Sequence, residues 1–286
     1  MWIKWIALIC LLMLVGFGLV SLYSRSRWQS GTATLRDRLA SGQRSIKPTI
    51  YDQKEIEGLP APVQQFFRTA LTDGQLIVAG ATFTQQGQFN MDEKKAKWSP
   101  FTATQRVITQ RPGFDWDARI QMALGLNVFV HDAYVLEEGT LHASLLGLVT
   151  LANVRGTPEA NQGELMRFFA EAAWYPTALL PSQGVRWDAI DDTSARGTLT
   201  DGTTTVSLVF RFNPEGLIDT IHAAARSYRT VGDKLVAMPW DCRVWAYTVR
   251  NGMQIPSEGE VAWQLPFGSY PYWIGQFTEI NYEFAS

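Results

Sequence analysis

The strongest constraint in this 286-residue sequence is an alternation of apolar and polar residues with a period of two. The alternation has no fault between residues 114 and 122. Its apolar members are Phe114, Trp116, Ala118, Ile120 and Met122, and its polar members are Asp115, Asp117, Arg119 and Gln121. Successive side chains of a strand point to opposite sides of the sheet, so this pattern predicts a strand with one buried and one polar face.

Similar segments recur along the chain at short intervals. The predicted strands cover residues 83–91, 101–109, 114–122, 128–136, 141–151, 185–190, 195–200, 204–212, 217–228, 236–250, 260–265 and 277–284. Turn sequences such as Asp201-Gly202 and Asn251-Gly252 separate several of them. Short strands joined by such turns predict an antiparallel meander and not a parallel sheet with helical crossovers.

Two segments change to a helical period. The first begins after Leu59 and places Val63, Phe66, Phe67 and Ala70 on one face. The second runs from about Gln162 to Trp174, with an apolar side that includes Phe168 and Phe169. We therefore predict a β-rich α+β fold, in which a curved, half-barrel-like antiparallel sheet holds an N-terminal and a central helix in its concavity. A two-sheet sandwich is the alternative.

An apolar segment precedes this domain. Every residue from Trp5 to Val20 is apolar or glycine, residues 21–23 extend the run, and Arg25 and Arg27 follow it. The run is long enough to span a membrane as a helix. A cleaved signal peptide is the alternative, but no small-x-small cleavage site follows the run. We expect residues 5–23 to remain attached and to make the chain a single-pass membrane protein.

Three regions follow from this division: a transmembrane anchor over residues 1–24, a basic juxtamembrane linker over residues 25–58 and a single β-rich domain over residues 59–286. Residues 1–50 carry seven basic side chains and one acidic one, whereas the remainder carries 18 basic and 26 acidic ones. Basic residues after the span favour a cytoplasmic domain, but the architecture is more familiar outside the cytoplasm, and both sides stay open. The acidic domain is not expected to bind nucleic acid.

The sequence lacks the common catalytic and metal-binding motifs. It has no Gly-x-Ser-x-Gly elbow and no glycine-rich phosphate loop, and Cys242 has no histidine nearby in sequence. The three histidines are not at metal-ligand spacing, and His131 and Asp132 would point to opposite faces of a strand. We therefore expect no enzymatic activity, no metal and no cofactor. An enzymatic reading would require Asp117, Arg119 and Glu171 to converge in one cleft.

Several short motifs resemble an uncharacterised bacterial family of membrane-associated proteins. They are Pro112-Gly-Phe-Asp-Trp-Asp-Ala-Arg119, Asp132-x-Tyr134, Glu171-Ala-Ala-Trp-Tyr-Pro-Thr-Ala-Leu-Leu180, Trp187-x-x-x-Asp191-Asp192, Pro239-Trp240 and Gly252-x-x-Ile-Pro256. The resemblance covers nearly all of residues 59–286 and implies membership without an activity. More loosely, the order of elements is similar to the lipoprotein-carrier fold, in which a curved sheet wraps around helices and leaves an apolar hollow.

The aromatic residues give the clearest indication of a function. The chain has 11 tryptophans. They could simply fill the core, but they equally suit a wide apolar hollow. The residues expected to contact a ligand are Trp116, Asp117, Arg119, Phe169, Glu171, Trp174, Trp187 and Trp240. We predict a membrane-tethered, noncatalytic module that binds a lipid or other apolar ligand. The alternative is a structural or assembly factor with a filled core and a protein partner.

Overall fold

A computed structural model describes residues 2–93, 95–123, 125–231 and 234–286 of the chain. The helices are α1 (Trp2–Ser41), α2 (Ala61–Ala70) and α3 (Pro158–Glu171). The strands are β1 (Val78–Asn90), β2 (Trp98–Ile108), β3 (Gly113–Ala123), β4 (Leu126–Val135), β5 (Glu138–Leu145), β6 (Val149–Arg155), β7 (Arg186–Asp191), β8 (Ser194–Asp201), β9 (Thr204–Phe212), β10 (Ile218–Val231), β11 (Lys234–Arg250), β12 (Met253–Leu265) and β13 (Gly268–Phe284).

The thirteen strands of the described residues form one antiparallel sheet. Their order is β6-β5-β4-β3-β2-β1-β13-β12-β11-β10-β9-β8-β7. Two meanders, β1–β6 and β7–β13, therefore join where β1 pairs with β13. This arrangement confirms the predicted fold class and replaces the sandwich alternative with a single sheet.

One predicted strand is a hairpin in the structure. Residues 141–151 form the end of β5, a turn and the start of β6. The turn uses left-handed backbone at Leu146 (φ 55°) and Gly147 (φ 69°). The sequence did not reveal this turn, because leucines surround the single glycine in place of the usual polar turn residues.

The face of the sheet that carries α2 and α3 is its inner face. On α3, Phe169 is 1% exposed and packs against Phe210 of β9, with ring centroids 5.3 Å apart. Gly197 of β8 permits this approach, because a Cβ atom there would lie 2.8 Å from the Phe169 ring. α2 adds Phe66, which packs against Phe212 of β9. The main hydrophobic core therefore lies between the inner face and the two helices.

Helix α1 extends well beyond the predicted anchor. Its second half lies on the opposite, outer face of the sheet, where the buried residues Ser24, Trp28, Thr32 and Leu39 recur at close to helical spacing. Residues 25–41 are therefore helical and packed where the sequence predicted a linker, and Tyr51 and Ile56 beyond them are also buried. The first half of α1 is long and apolar enough to span a membrane and is not buried in the protein. The limits of the three predicted regions stay a prediction.

Candidate functional site

A cavity of about 1090 Å³ lies between α3 and the inner face of the sheet. Large apolar and aromatic side chains make up much of its wall. The aromatic members are Phe89, Trp116, Trp174, Tyr228, Trp240, Trp263, Tyr270, Tyr272, Trp273 and Phe277. Pockets that bury a small molecule typically measure about 300–1,000 Å³ and are mostly apolar, so this cavity is slightly larger than that range.

The aromatic rings of the wall are held by specific contacts. Trp116 Nε1 donates to Gln85 Oε1 at 2.8 Å, and Trp240 Nε1 donates to the Tyr272 hydroxyl at 3.1 Å. Trp174 stacks on Phe277 with centroids 4.5 Å apart. Because buried indole N–H groups need acceptors, these bonds fix the orientation of the rings that the cavity presents.

A polar network crosses the wall below α3, and Arg167 is at its centre. Arg167 Nη1 donates to Asp132 Oδ2 at 2.5 Å, and Arg167 Nε donates to Glu171 Oε1 at 2.7 Å. Gln105 Nε2 donates to the other Glu171 oxygen at 2.5 Å, and Gln105 Oε1 accepts from Gln85 Nε2 at 2.8 Å. A continuous chain of hydrogen bonds therefore runs from Trp116 through both glutamines to Asp132.

A second arginine joins this network from β10. Arg226 Nη2 donates to Glu164 Oε1 at 3.2 Å, and its guanidinium lies 5.0 Å from the centre of the Trp240 ring. Burial and the nearby Asp132 carboxylate raise the pKa of Glu164 well above its usual range. The shift favours the protonated form of Glu164, which can donate to Asp132. Asp132 Oδ1 and Glu164 Oε2 are buried and receive no hydrogen bond from the described residues.

Every carboxyl group of this network contacts an arginine. Arg167 contacts Asp132 and Glu171, and Arg226 contacts Glu164. Buried charges are tolerated when each is paired and hydrogen-bonded, and a break in one pair is costly. The polar groups at the centre of this network therefore already have partners within the protein.

Four of the eight residues predicted to contact a ligand line the cavity: Trp116, Glu171, Trp174 and Trp240. Phe169 and Trp187 do not, because both pack into the core against Phe210. The Trp187 indole also donates to the Leu179 carbonyl at 3.0 Å.

The structure places Asp117 and Arg119 away from the cavity. Asp117 Oδ1 accepts from Trp28 Nε1 at 2.9 Å on the outer face, and the Arg119 guanidinium lies 4.0 Å from the centre of the Phe129 ring. Both residues were expected to contact a ligand, but they lie on the face of the sheet that α1 and not α3 covers. Asp117 and Arg119 therefore do not meet Glu171, and the constellation required by the enzymatic reading is not formed.

Sequence reasoning missed several residues of the cavity wall. The main ones are Asp132, Glu164, Arg167, Arg226, Trp263 and Tyr272. One signal was available, because Glu164, Arg167 and Glu171 share the polar side of α3 and that side turns toward the sheet. Among the described residues, no group of three or more potential ligands could hold a metal ion.

A separate polar cluster attaches α1 to the outer face. Trp28 stacks on His131 with centroids 4.1 Å apart, and Thr32 Oγ1 lies 2.7 Å from His131 Nε2. Burial is the largest effect on His131 and lowers its pKa to about 4. Arg36 pairs with Asp115 at 3.1 Å, but burial outweighs this pairing and raises the pKa of Asp115 to about 6.

Comparisons with known proteins agree with the resemblance found in the sequence. A family described as "Family of unknown function (DUF6920)" matches residues 57–282. No curated protein matches the chain in sequence. Among solved structures, the crystal structure of the LolA superfamily protein NE2245 from Nitrosomonas europaea is similar, with 11% sequence identity and a TM-score of 0.33. That match covers 79% of this chain and 94% of the other.

Proposed function

We propose that this chain, which belongs to the DUF6920 family of unknown function, is a membrane-tethered binding protein that holds a lipid or other apolar ligand beneath α3. One observation carries the proposal: a cavity of about 1090 Å³ lies on the inner face and has a wall rich in aromatic rings. A protein with a filled core would have no such space, so the cavity favours binding over a purely structural role.

The chemistry of the wall favours an apolar ligand. Burial of apolar surface contributes about 25 cal/mol per Å² before the costs of association, so a long hydrocarbon group would gain most from this cavity. Arg167 and Arg226 already have carboxylate partners. A strongly anionic ligand would have to break those pairs, which supports a ligand whose polar part is uncharged.

The same groups support a noncatalytic role. The three carboxyl groups of the polar network, those of Asp132, Glu164 and Glu171, each contact an arginine, so none of these three is positioned as a free general base. Cys242 lines the cavity, but burial raises the pKa of its thiol and keeps it protonated. A protonated thiol is a poor nucleophile.

The tether is the other part of the proposal. A signal sequence would also be apolar and near the N-terminus, but here the apolar half of α1 continues without a break into the half that packs on the sheet. A helix that carries the domain directly holds the cavity at a nearly fixed distance from the bilayer. This supports a protein that takes its ligand from the membrane or delivers it there.

Ligand binding can be tested with the full chain kept in solution by an amphipol. A fluorescent fatty acid serves as the probe, and Val261→Trp introduces an indole into the cavity wall. We expect saturable binding to the wild type and at least tenfold weaker binding to Val261→Trp.

The matched control is Val249→Trp, at a strand valine that is 69% exposed and outside the cavity. It should bind like the wild type, and a melting curve checks that both variants are folded. Wild-type protein without saturable binding, or equal binding by all three proteins, would contradict the proposal.

A further inference from the structure

Strand β6 is an edge strand with an unusual surface. In its seven residues only Ala152 is partly buried, and the rest are exposed. Val149 is 60% exposed and Leu151 is 56% exposed. Leu151 is the extra, unpaired residue of a β-bulge opposite β5. Exposed apolar edge strands invite association, so soluble proteins usually protect them with charges or with a covering element.

This strand begins next to the end of the apolar run of α1. The hydroxyl of Ser24 donates to the carbonyl of Leu146 in the β5–β6 turn. The turn comes so close that a Cβ atom at Gly147 would lie 2.7 Å from Ser24 Oγ. The apolar run extends to Tyr23, so the β5–β6 turn lies level with the residue at which the chain leaves the bilayer.

The direction of α1 indicates which end of the strands faces the membrane. Trp28 contacts Phe129 and His131 near the start of β4, whereas Leu39 packs with Ala133 and Val135 at its end. α1 therefore runs in the same direction as β4, away from the membrane. In an antiparallel meander the β1–β2, β3–β4 and β5–β6 turns lie at the same end of the strands. This is the end of the sheet next to the bilayer.

An unbroken row of apolar side chains leads from the β5–β6 turn to the cavity. His142 stacks on Trp28 at the outer face, so its neighbours on β5 point to the inner face. The row consists of three cross-strand pairs, Leu145 with Val149, Ala143 with Ala152 and Leu141 with Val154. Leu141 and Val154 line the cavity, so the row covers about 13 Å between the turn and the cavity. We term these six residues the apolar track.

We propose that the apolar track and the adjoining Leu148 and Leu151 dock on the bilayer that anchors the chain, and that ligand passes along the track between this bilayer and the cavity. The occupant of this surface is lipid because Ser24 holds the turn at the membrane boundary, and Arg25 and Arg27 lie where they can meet anionic headgroups. The passage of ligand rests on the proposed binding function, but the docking does not.

Docking can be measured on the full chain in phosphatidylcholine vesicles. In a background with Cys10→Ser and Cys242→Ala, a single Leu151→Cys substitution carries a polarity-sensitive fluorophore. The matched control is Ile190→Cys on β7, the strand at the far edge of the sheet, where Ile190 is 46% exposed. We expect lipids with spin-labelled acyl chains to quench the probe at residue 151 at least twofold more than the probe at residue 190.

Two results would overturn the docking proposal. If aqueous iodide quenches both probes alike and the labelled lipid quenches neither, the hairpin lies in water. If neither quencher reaches residue 151, a protein surface such as a second copy of the chain covers it.

A second experiment separates the track from the binding function. The double variant Val149→Asp with Leu151→Asp places charges outside the cavity, and Val249→Asp is its control. We expect loading of a fluorescent lipid from the vesicle into the protein to slow at least tenfold in the double variant only. Binding of the fluorescent fatty acid in amphipol should stay at the wild-type level. Unchanged loading with intact binding would overturn the passage of ligand along the track. Absence of binding in the wild type would overturn the binding function and the passage that rests on it, but not the docking.

Discussion

Trp116 and Asp117 are consecutive residues of β3 that connect the two functional faces of the sheet. The Trp116 indole bonds Gln85 in the cavity wall at 2.8 Å, and the Asp117 carboxylate accepts from Trp28 of α1 at 2.9 Å. One strand therefore forms part of the cavity and part of the surface on which α1 packs. A shift of α1 on the outer face would act directly on the strand that holds Trp116.

Trp28 should be the main anchor of α1 on the sheet. It is 4% exposed, stacks on His131 and bonds Asp117. Trp28→Ala removes these contacts, and truncation of a buried aromatic residue typically costs about 3–5 kcal/mol. We expect hydrogen exchange of residues 24–41 to become faster while α3 stays protected. Trp98→Ala, at a tryptophan that is 38% exposed, is the control and should leave α1 protected. Unchanged exchange in Trp28→Ala would mean that the helix is held by other contacts.

Arg167 should be essential for stability, whereas the charge of Glu164 should not be. Arg167→Met leaves the carboxylates of Asp132 and Glu171 buried without their cation, which typically costs about 3–5 kcal/mol. Glu164→Gln removes a carboxyl group whose pKa is raised by burial and keeps an oxygen that can accept from Arg226, so the free energy of unfolding should change little. Denaturant unfolding of the full chain in detergent measures both. Equal losses in the two variants would contradict this difference between Arg167 and Glu164.

The outer-face cluster predicts opposite pH effects at two residues. Burial lowers the pKa of His131 from 6.5 to about 4. Between these two pH values His131 is protonated only in the unfolded chain, so acidification lowers the free energy of unfolding. Burial raises the pKa of Asp115 from 3.8 to about 6, so its contribution is present at low pH and is lost as the pH rises toward 6.

These effects oppose each other in the wild type, so each is measured as a difference in melting temperature from a variant. From pH 4.5 to pH 6, the advantage of the wild type over His131→Gln should grow. Over the same range its advantage over Asp115→Asn should shrink. Two differences that stay constant with pH would show that neither group titrates as its burial requires.

The packing of α3 gives a further prediction. Phe168 and Phe169 are 2% and 1% exposed, and each Phe→Ala substitution should cost about 3–5 kcal/mol because it leaves a cavity in the core. Phe267 in the β12–β13 turn is 71% exposed, so Phe267→Ala serves as the control and should change the melting temperature little. Unchanged melting of both α3 variants would show that this helix is not packed as described.

The sequence predicted those parts of the fold that depend on local periodicity. The alternation of residues 114–122 identified β3 and placed Trp116 and Asp117 on opposite faces, and the short motifs identified the family. The β5–β6 turn was missed because leucines occupy its positions. The seat of α1 was also missed, although Ser24, Trp28 and Thr32 lie four residues apart in a segment that otherwise looks like a polar linker.

The polar half of the cavity wall could not be predicted in the same way. Glu164 and Arg226 are 62 residues apart, and their pairing depends on how α3 lies across the sheet. Asp132 and Arg167 likewise meet only through the tertiary fold. In the sequence, Asp117 and Arg119 look as suitable for contact with a ligand as the polar residues of the wall do. They lie away from the cavity because α1, and not α3, covers their face of the sheet.

The most direct measurement of the central claim is mass spectrometry of organic extracts from the full chain purified from its membrane. The wild type and Val249→Trp should release the same apolar compound in a similar amount per chain, above the background of lipids that adhere to any membrane protein. Val261→Trp, whose cavity holds an indole, should release only that background. Equal amounts of every compound from all three proteins would contradict a ligand site beneath α3.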